Sequence, residues 1–431
     1  MTLLKKIPVL MNLSPLGGKI KTGVYRVVEE LVKGLAGDPR IDLTIHSTQQ
    51  TALSHHYFGE HLSGYQAELF TGKFTAPREM LSARLHQTLV SSLPKRSIAY
   101  RAMRKGIVLT EKLIDTFSSH FPSEILDRTQ IYHSPFHPIP SRVRKRKNII
   151  RFTTVYDLIA ITNPEYFGVH TAKGIRKLIG SFDETDHAFC ISEATRKTLL
   201  ELSRITPENA HVVHLAAASH FYPANNPQTN ETVLQRHGID APGYILSLCT
   251  LEIRKNLQIV VNAFARLHQD KKIPPGTKLV LAGGGGWKTE LFETALQGAA
   301  EVRDLIVMPG FVPDEDLAAI YSSARVFVYM SFAEGFGLPP LEAMQCGTPV
   351  ITSNTSSLPE VVGHAGITLD PNDLDGLCNS ILHVYEDDEH HQKLCQKSLE
   401  RSAHFSWRKY IDQTVECYQK ALASTVTDPN R

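Results

Sequence analysis

The sequence has few of the residues that build disulfide-bonded, zinc-binding or membrane-spanning proteins. Only six of its 431 residues are cysteine, and no two of them have CxxC spacing. This pattern predicts the reduced thiols of a cytosolic protein, with neither a disulfide framework nor a zinc site. No run of about 18 apolar residues occurs, so we expect no membrane span. Near the N-terminus, Pro8 interrupts a short apolar run, which favours a buried first strand over a signal peptide.

Motifs that would identify a reaction are also missing. The chain has no GxSxG hydrolase motif. In LAGGGGWKTE, Lys288 does not follow a glycine directly, as a phosphate-binding P-loop requires, so we predict a tight turn there. Two Asp-x-Asp pairs, Asp314/Asp316 and Asp373/Asp375, suggest a metal-held diphosphate. Each pair is better explained as the acidic first turn of an N-capped helix, and we predict no metal site.

Length and charge distribution indicate two domains. A chain of 431 residues is too long for one ordinary core. The net charge is only +2, but residues 1–225 carry 29 Lys and Arg against 19 Asp and Glu, a net of +10. Residues 226–431 carry 17 against 25, a net of −8. A basic half and an acidic half suggest two bodies with different partners.

Short apolar runs alternate with helical patterns along the chain. Eleven runs are predicted to be β-strands, in IPVLMNL, LTIHS, IYHSP, RFTTVYDLI, HAFCIS, AHVVHLA, YILSLCT, KLVLAGG, LIVMPGF, ARVFVYM and TPVITSN. Such alternation predicts parallel sheets with helices on both faces. We therefore predict an α/β fold of two doubly wound, Rossmann-like domains, 1–225 and 226–405, joined by the polar segment 221–233 and facing a ligand cleft. Residues 406–431 are predicted to form a C-terminal helix that is free to cross back to the first domain.

The segment SFAEGFGLPPLEAMQCGTPV, residues 331–350, places two glutamates around a glycine-rich turn. Gly335 and Gly337 let the backbone approach a ligand closely. Glu334 and Glu342 are acceptor-only groups, and they suit a ligand with hydroxyls at both ends and phosphates between, which is the layout of a nucleotide sugar. Alternatively, Glu342 only favours the helix dipole and Glu334 is a solvated loop residue.

A short helix is predicted to follow this turn. Pro339 and Pro340 suit its first positions, and Gly347 suits its C-terminal end. The unpaired N–H groups of its first turn are expected to attract a phosphate group.

Two adjacent cations, Arg254 and Lys255, follow the strand in LCTLEIRKNLQIVVNAF. At the carboxyl end of a parallel strand they are well placed to clamp a diphosphate, although two exposed loop cations would look the same in sequence. Asn256 is predicted to N-cap the helix that begins at Leu257.

The first strand-to-helix connection is rich in glycine, with Gly17, Gly18 and Gly23. Phosphate-binding loops often lie at such a connection, but the pattern is not GxGxxG and does not identify a ligand by itself. Asp157 ends a later strand and is expected to face the cleft. His133 ends the strand before it and is more typical of a structural histidine than of a catalytic one.

Taken together, these segments resemble retaining glycosyltransferase family 4, whose members have the GT-B fold. The likeness is carried, in order, by TGVYRVVEEL, YHSPFHPIP, VYDLIAITNPEYF, ISEATRKTLL, CTLEIRKN, GFVPDEDLAAIYSSA and EGFGLPPLEAMQCGTPVITSNTSSLPEVVGHAG. The spacing of Glu334 and Glu342 is the E-x7-E signature of that family. The stretch SLPEVVGHAG is most similar to mannosyltransferases of bacterial O-antigen or capsule assembly.

The resemblance implies roles for the candidate residues. The catalytic residues would be Glu334 and Asp157, and the donor-binding residues would be Gly23, Arg254, Lys255, Gly335, Phe336, Gly337, Leu338 and Glu342. Glu334 would hold the donor sugar, Glu342 the ribose, and the two adjacent cations the diphosphate. With sugar and diphosphate held separately, Glu334→Gln would leave the affinity for free nucleoside diphosphate within about threefold, less than one charge-assisted hydrogen bond is worth. Many members have His-Asp where this chain has Tyr156-Asp157, so Asp157 is either catalytic or the cap of a loop.

The implied reaction is transfer of a hexose from a nucleotide-diphosphate sugar to a hydroxyl of a growing bacterial surface glycan, with retention and without a metal or another cofactor. GDP-mannose is the first expected donor and a UDP-hexose the second. An inactive scaffold subunit and a nucleotide-sugar isomerase are the alternatives. The basic segments 94–106 and 142–147 either dock a lipid-linked acceptor at an anionic membrane, on its cytoplasmic face, or are solvated charge runs. No nucleic-acid partner is expected.

Overall fold

Two parallel β-sheets, each packed between helices, make up the computed structural model. It describes residues 6–17, 23–46, 57–62, 64–65, 67–70, 97, 123–167, 169–240, 242–286 and 289–427. Within these residues, every pairing between neighbouring strands of the two sheets is parallel. The predicted doubly wound α/β architecture is therefore confirmed.

The first sheet has seven strands in the order β3-β2-β1-β4-β5-β6-β7. The strands are β1 (Ile7–Asn12), β2 (Ile41–His46), β3 (Ala67–Phe70), β4 (Ile131–Ser134), β5 (Ile150–Val155), β6 (His187–Cys190) and β7 (Ala210–Val212). The α-helices beside them are α1 (Gly23–Ala36), α2 (Ser123–Arg128), α3 (Ser141–Arg144), α4 (Ile159–Thr162), α5 (Val169–Ile179) and α6 (Glu193–Leu202), with 3₁₀ turns at Ser14–Gly17 and Pro164–Tyr166. The strand order reverses between β1 and β4, and a ligand crevice is expected at that point.

The second sheet has six strands in the order β10-β9-β8-β11-β12-β13. The strands are β8 (Tyr244–Leu248), β9 (Leu279–Ala282), β10 (Ile306–Gly310), β11 (Ala324–Tyr329), β12 (Val350–Ser353) and β13 (Ile367–Leu369). The α-helices are α7 (Pro227–Arg236), α8 (Leu257–Gln269), α9 (Glu290–Gly298), α10 (Asp314–Ser323), α11 (Leu338–Gln345), α12 (Leu358–Val362), α13 (Leu374–Glu386) and α14 (Asp388–Ser402), with 3₁₀ turns at Ile253–Lys255 and Ala300–Leu305. The order reverses between β8 and β11, whose following loops carry the adjacent cations and the glycine-rich turn.

Burial on both faces explains why the apolar runs form central strands. In β11, Val326, Phe327 and Val328 are fully buried although successive side chains point to opposite faces of the sheet. All eleven predicted strands are present. The sequence missed two edge strands: β3, which includes a glutamate, and β13, which is only partly buried.

Helix α15 (Trp407–Thr427) lies against the first domain, although it follows the second domain in the chain. The Tyr418 hydroxyl is 2.6 Å from His133 Nδ1 in β4. Helix α1 passes so close that a Cβ on Gly34 would lie 2.4 Å from a side-chain carbon of Ile411. The last helix therefore belongs spatially with the first sheet.

The chain thus crosses between the two domains twice, in residues 213–226 and again in residues 403–406. The domain limits at 225 and 405 stay predictions. Among the helices in the described ranges, none is long and apolar enough to cross a bilayer.

Candidate active site

Loops from both domains enclose a cleft of about 590 Å³. Its walls include every residue that the sequence assigned to catalysis or donor binding: Gly23, Asp157, Arg254, Lys255, Glu334, Gly335, Phe336, Gly337, Leu338 and Glu342. The first domain supplies Gly23 and Asp157, and the second supplies the others. The candidates are thus brought together in one place, while the role of each stays a prediction.

Arg254, Lys255 and Glu334 form one ion-paired cluster in the wall of the second domain. Lys255 Nζ lies 2.7 Å from Glu334 Oε1, and Arg254 Nη1 lies 2.8 Å from Glu334 Oε2. The Tyr329 hydroxyl accepts a hydrogen bond from Lys255 at 2.7 Å and donates one to Glu334 Oε1 at 2.9 Å. Each carboxylate oxygen of Glu334 therefore has its own cation. The residue assigned to the sugar thus contacts both residues assigned to the diphosphate, which the sequence did not predict.

The cations and carboxylates of this cluster stabilise each other's ionised forms. Burial of Glu334 acts to raise its pKa, but Lys255 and Arg254 outweigh burial and lower the pKa to about 2. Burial opposes the charge of Arg254 as well, yet its pKa is raised, because Glu334 and Glu252 lie close to the guanidinium. Glu252 Oε1 accepts from Arg254 Nη2 at 2.6 Å. The guanidinium is therefore held at both of its terminal nitrogens.

Glycine at position 335 allows the two domains to touch. A Cβ on Gly335 would lie 2.5 Å from the carbonyl oxygen of Tyr156 in the first domain. Ser192, also in the first domain, donates to the Gly335 carbonyl at 2.7 Å. Gly337 has a φ of +115°, a conformation that L-residues rarely adopt. The turn therefore needs glycine for contact between the domains as well as for its backbone path.

Helix α11 begins at Leu338, one residue before the two prolines. The prolines have no N–H to offer, and the N–H of Leu341 donates to the Gly337 carbonyl. Among the first four helical residues, only Leu338 keeps an N–H that is not used in this way. The helix start therefore has fewer N–H donors for an anion than the sequence suggested. Gly347 follows the helix end with a φ of +78°, as predicted.

Glu342 lies in α11 and is 8% exposed. The Tyr321 hydroxyl donates to Glu342 Oε2 at 3.0 Å. Burial raises the pKa of Glu342 to about 7, although Tyr321 and Arg26 act in the opposite direction. The two glutamates of the E-x7-E pair therefore ionise in different pH ranges, since Glu334 stays charged at neutral pH and Glu342 titrates near neutral pH.

Asp157 both caps a loop and lines the cleft. Its Oδ1 accepts from the backbone N–H of Ile159 at 3.1 Å, and burial raises its pKa. Tyr156, in the position that is histidine in many members of the resembled family, packs near Phe136 with the ring centroids 6.1 Å apart. The Tyr156 hydroxyl is buried and has no hydrogen-bond partner in the part of the chain that the structure describes. Tyr156 therefore brings its ring, and not its hydroxyl, to this wall.

Sequence reasoning missed an ion pair that joins the two walls of the cleft. Arg26 Nη2 in α1 lies 2.6 Å and 2.8 Å from the two carboxylate oxygens of Asp314 in α10, and both residues line the cleft. The two residues are 288 positions apart, so no local pattern pairs them. The sequence offered one signal for this pair. Arg26 lies three positions after Gly23, and the loop at Gly23 was predicted to face a phosphate.

The Asp-x-Asp pairs do not act as pairs. Asp314 is used across the cleft, whereas Asp316 accepts from Arg236 at 2.9 Å. Asp373 caps α13 by accepting from the Gly376 N–H at 2.8 Å, as predicted, while α10 has the predicted acidic first turn without a side-chain cap. Within the described ranges, no group of three or more His, Cys, Asp or Glu side chains is arranged to hold a metal.

Other candidates lie away from the cleft or outside the described residues. His133 is fully buried against α15, and burial lowers its pKa to about 3, which fits a structural histidine. The predicted cap Asn256 adopts a φ of 55° and does not cap α8, because its side chain donates to the Pro371 carbonyl. Three predictions fall on residues that the structure does not describe: Gly18, Lys288 and, except for Ser97, the segment 94–106.

The basic segment 142–147 is partly neutralised by the fold. Arg144 lies 2.8 Å from an oxygen of Asp186, and Arg146 lies 2.8 Å from an oxygen of Asp127. Two of its five cations are thus already paired, which lowers the charge available to an anionic surface.

Known proteins are similar to this chain in sequence and in fold. Residues 229–401 match the profile of the family described as glycosyl transferases group 1. O-antigen chain mannosyltransferase B of Escherichia coli is 36% identical over 293 residues, which cover 67% of this chain and 74% of that protein. Serotype-specific mannosyltransferase WbdA of Escherichia coli is 28% identical over 278 residues, which cover 63% of this chain but only 33% of that protein.

Among solved structures, Anabaena HepE in complex with UDP and glucose matches 96% of this chain and all of its own, with a TM-score of 0.63 and 15% identity. At this identity the likeness shows a common fold. Family membership is decided by the mannosyltransferase B relative and the family profile. The chain belongs to the group 1 glycosyltransferases and has the GT-B fold.

Proposed function

We propose that this protein is a retaining hexosyltransferase that moves a sugar from a nucleotide-diphosphate donor to a hydroxyl of a growing bacterial surface glycan. The observation that carries the proposal is the meeting of two cations, two glutamates and a glycine-rich turn in one cleft between two Rossmann-like domains. GDP-mannose is the first donor, because the sequence relatives are named as O-antigen and serotype-specific mannosyltransferases.

In the proposed mechanism, the cleft stabilises the charge of the leaving group. Departure of the nucleoside diphosphate creates negative charge, which Arg254 and Lys255 are placed to balance, so the main catalytic contribution is electrostatic preorganisation. The acceptor hydroxyl attacks on the face from which the leaving group departs, and a phosphate oxygen of the donor takes its proton. Glu334 binds hydroxyls of the sugar, Glu342 binds the ribose, and Asp157 faces the sugar from the first domain.

A panel of labelled nucleotide sugars tests this proposal. The protein is incubated with GDP-mannose, UDP-glucose and UDP-galactose and an oligomannose acceptor, and the products are scored for transfer, hydrolysis and epimerisation. We expect transfer from GDP-mannose, with the anomeric configuration of the donor retained in the product by NMR. An inverted product would overturn the stereochemical part, and epimerisation without transfer would indicate an isomerase. Turnover of no donor would indicate a scaffold subunit.

Metal independence is a separate arm of the same assay. Because the protein's own cations occupy the place where a metal would balance a diphosphate, we expect transfer to be undiminished in excess EDTA. EDTA presaturated with Mg²⁺ is the control for effects of the chelator itself. A loss of activity that Mn²⁺ restores would contradict the proposal and direct attention back to the Asp-x-Asp pairs.

A UDP-hexose is the second donor candidate. It is favoured by HepE, which was solved in complex with UDP and glucose. Thermal shift with each nucleotide separates the two, since a ligand present at about 100 times its Kd stabilises the folded state by about 2.7 kcal/mol. A larger shift with UDP than with GDP would reverse the order of the donors.

A further inference from the structure

We propose that Glu334 is also the counter-ion that occupies the diphosphate clamp when no donor is bound, and that it promotes release of the nucleoside diphosphate after transfer. The clamp is defined here as Arg254 and Lys255. The inference rests on the proposed function, because it takes these two cations as the diphosphate site. It gives Glu334 a role in product release besides the sugar contact that the resemblance implies.

The clamp is already neutralised in this structure. Both cations are bonded to Glu334, at 2.7 Å and 2.8 Å, and Arg254 is also bonded to Glu252 at 2.6 Å. Two cations and two carboxylates give the cluster a formal charge of zero. The side chains of both cations and of Glu334 are only 10–12% exposed, so water screens these interactions little. A diphosphate that enters the cleft therefore meets two cations that are already ion-paired with carboxylates.

Donor binding consequently requires an exchange of partners. The diphosphate oxygens replace the Glu334 carboxylate at Lys255 Nζ and at Arg254 Nη1, where they form charge-assisted hydrogen bonds. Because the sugar is joined directly to the diphosphate, the displaced carboxylate needs only side-chain rotation to reach its hydroxyls. Glu252 stays on the other terminal nitrogen of Arg254 and keeps the guanidinium in place.

Transfer reverses the exchange. The sugar leaves with the acceptor, and the hydroxyl groups that held Glu334 leave with it. Burial favours the neutral form of Glu334, but contact with Lys255 and Arg254 lowers its pKa, so re-forming these two ion pairs favours the charged carboxylate. The carboxylate then competes with the nucleoside diphosphate for both cations. The intact donor is thus held at its sugar and at its diphosphate. The nucleoside diphosphate that remains after transfer is held only at the diphosphate, where Glu334 competes with it.

Calorimetry with GDP and with GDP-mannose on the wild type and Glu334→Gln tests the inference. Glutamine keeps the size of the side chain and removes its charge. We expect the variant to bind GDP about tenfold more tightly, the lower limit for one charge-assisted hydrogen bond, and the inhibition constant of GDP to fall in parallel. GDP-mannose should gain less, because the variant also loses the charged acceptor for sugar hydroxyls.

Glu252→Gln is the matched control. It removes a buried carboxylate from the same guanidinium, but Glu252 is not part of the cleft wall. Its GDP affinity should rise by less than that of Glu334→Gln, because Glu252 is bonded to Arg254 Nη2 and not to the nitrogen atoms that the diphosphate would contact. Equal tightening in both variants would show that only net charge matters and would overturn the inference, as would a Glu334→Gln variant that binds GDP no better than the wild type.

Two further measurements keep the outcome unambiguous. Thermal unfolding checks the fold of each variant, and if Glu334→Gln does not fold, Glu334→Asp takes its place. The shorter side chain draws the carboxylate back from the cations, so a smaller tightening of the same sign is required. UDP is titrated in parallel. If the wild type binds neither GDP nor UDP, the proposed function fails, whereas binding without tightening in the variant refutes only this inference.

Discussion

At the scale of single residues, the two glutamates of the E-x7-E pair are one chemical group in two electrostatic environments. Glu334 lies between two cations and stays ionised, whereas burial beside Tyr321 raises the pKa of Glu342 to about 7. This pKa is above the ordinary value of 4.5, so the stabilisation that protonated Glu342 gives the unliganded protein is complete below about pH 4.5 and is lost as pH rises to about 7. Ionisation of Glu342 also creates a stronger hydrogen-bond acceptor in the part of the cleft where the ribose is proposed to bind.

We expect nucleoside-diphosphate affinity to rise by up to about tenfold between about pH 6 and pH 8, as Glu342 ionises and a charge-assisted bond replaces a neutral one. Glu342→Gln removes this titration and should flatten that part of the profile. The second ionisation of the ligand's phosphate, near about pH 6, stays in both proteins and serves as the internal reference. Calorimetry across the pH range makes the comparison, and identical profiles for the two proteins would rule out the role of Glu342.

The sequence could predict which residues meet but not how they pair. Arg254, Lys255 and Glu334 follow neighbouring parallel strands, and the carboxyl ends of such strands converge at one edge of the sheet. Their grouping was therefore predictable. The bond from Lys255 to Glu334 joins residues 79 positions apart and depends on side-chain torsions, which no local pattern encodes. The ion pairs of Glu334 with both cations were therefore not predictable, while the separate roles assigned to the sugar and diphosphate residues stay predictions.

At the scale of elements, the turn that follows β11 is a point of contact between the domains. The clash that a Cβ on Gly335 would make is with backbone of the other domain, at 2.5 Å, and backbone cannot rotate away as a side chain can. We expect Gly335→Ala to push the domains apart at the sugar end of the cleft and to reduce kcat/KM on the order of 100-fold, the cost of about 1 Å of misplacement. The melting temperature should change little.

Gly174→Ala is the control for this substitution. Gly174 lies in α5 at an exposed position, and a Cβ there would meet nothing within 4 Å. Alanine in a helix should stabilise by about 0.5–1 kcal/mol without changing transfer. Steady-state kinetics and thermal unfolding on both variants make the test. Normal kinetics for Gly335→Ala would mean that the close approach is not needed for transfer.

Helix ends were the elements that the sequence predicted least well. Asn256 has the residue type of an N-cap, but its left-handed backbone turns the side chain to the Pro371 carbonyl of another loop. The prolines after Leu338 were taken as a good helix start, which they are, but their missing N–H groups weaken the anion site that a helix start otherwise offers. In both cases the residue types correctly indicated where a helix begins, but they did not show which hydrogen bonds form there.

At the scale of the whole molecule, the chain has opposite charge in its two halves, +10 in residues 1–225 and −8 in residues 226–431. We expect sedimentation with anionic vesicles at low salt and release at high salt, since each Lys or Arg near the surface contributes about 1 kcal/mol before screening. Two cations of segment 142–147 are already paired, so the exposed Lys145 and Lys147 are the residues to replace in the test. Replacing both with glutamate should reduce binding, and equal binding to neutral vesicles would contradict a role for charge.

The two crossings of the chain between the domains limit how the cleft can move. A rigid body attached at one point can swing, slide and twist, whereas a body attached at two points keeps mainly a rotation about the line through them. The linker at residues 213–226 and the short segment 403–406 are two such points. Opening the cleft is therefore close to a motion with one degree of freedom, in which the turn at Gly335 leaves Tyr156 along an arc. A single distance across the cleft then reports the relative position of the two domains.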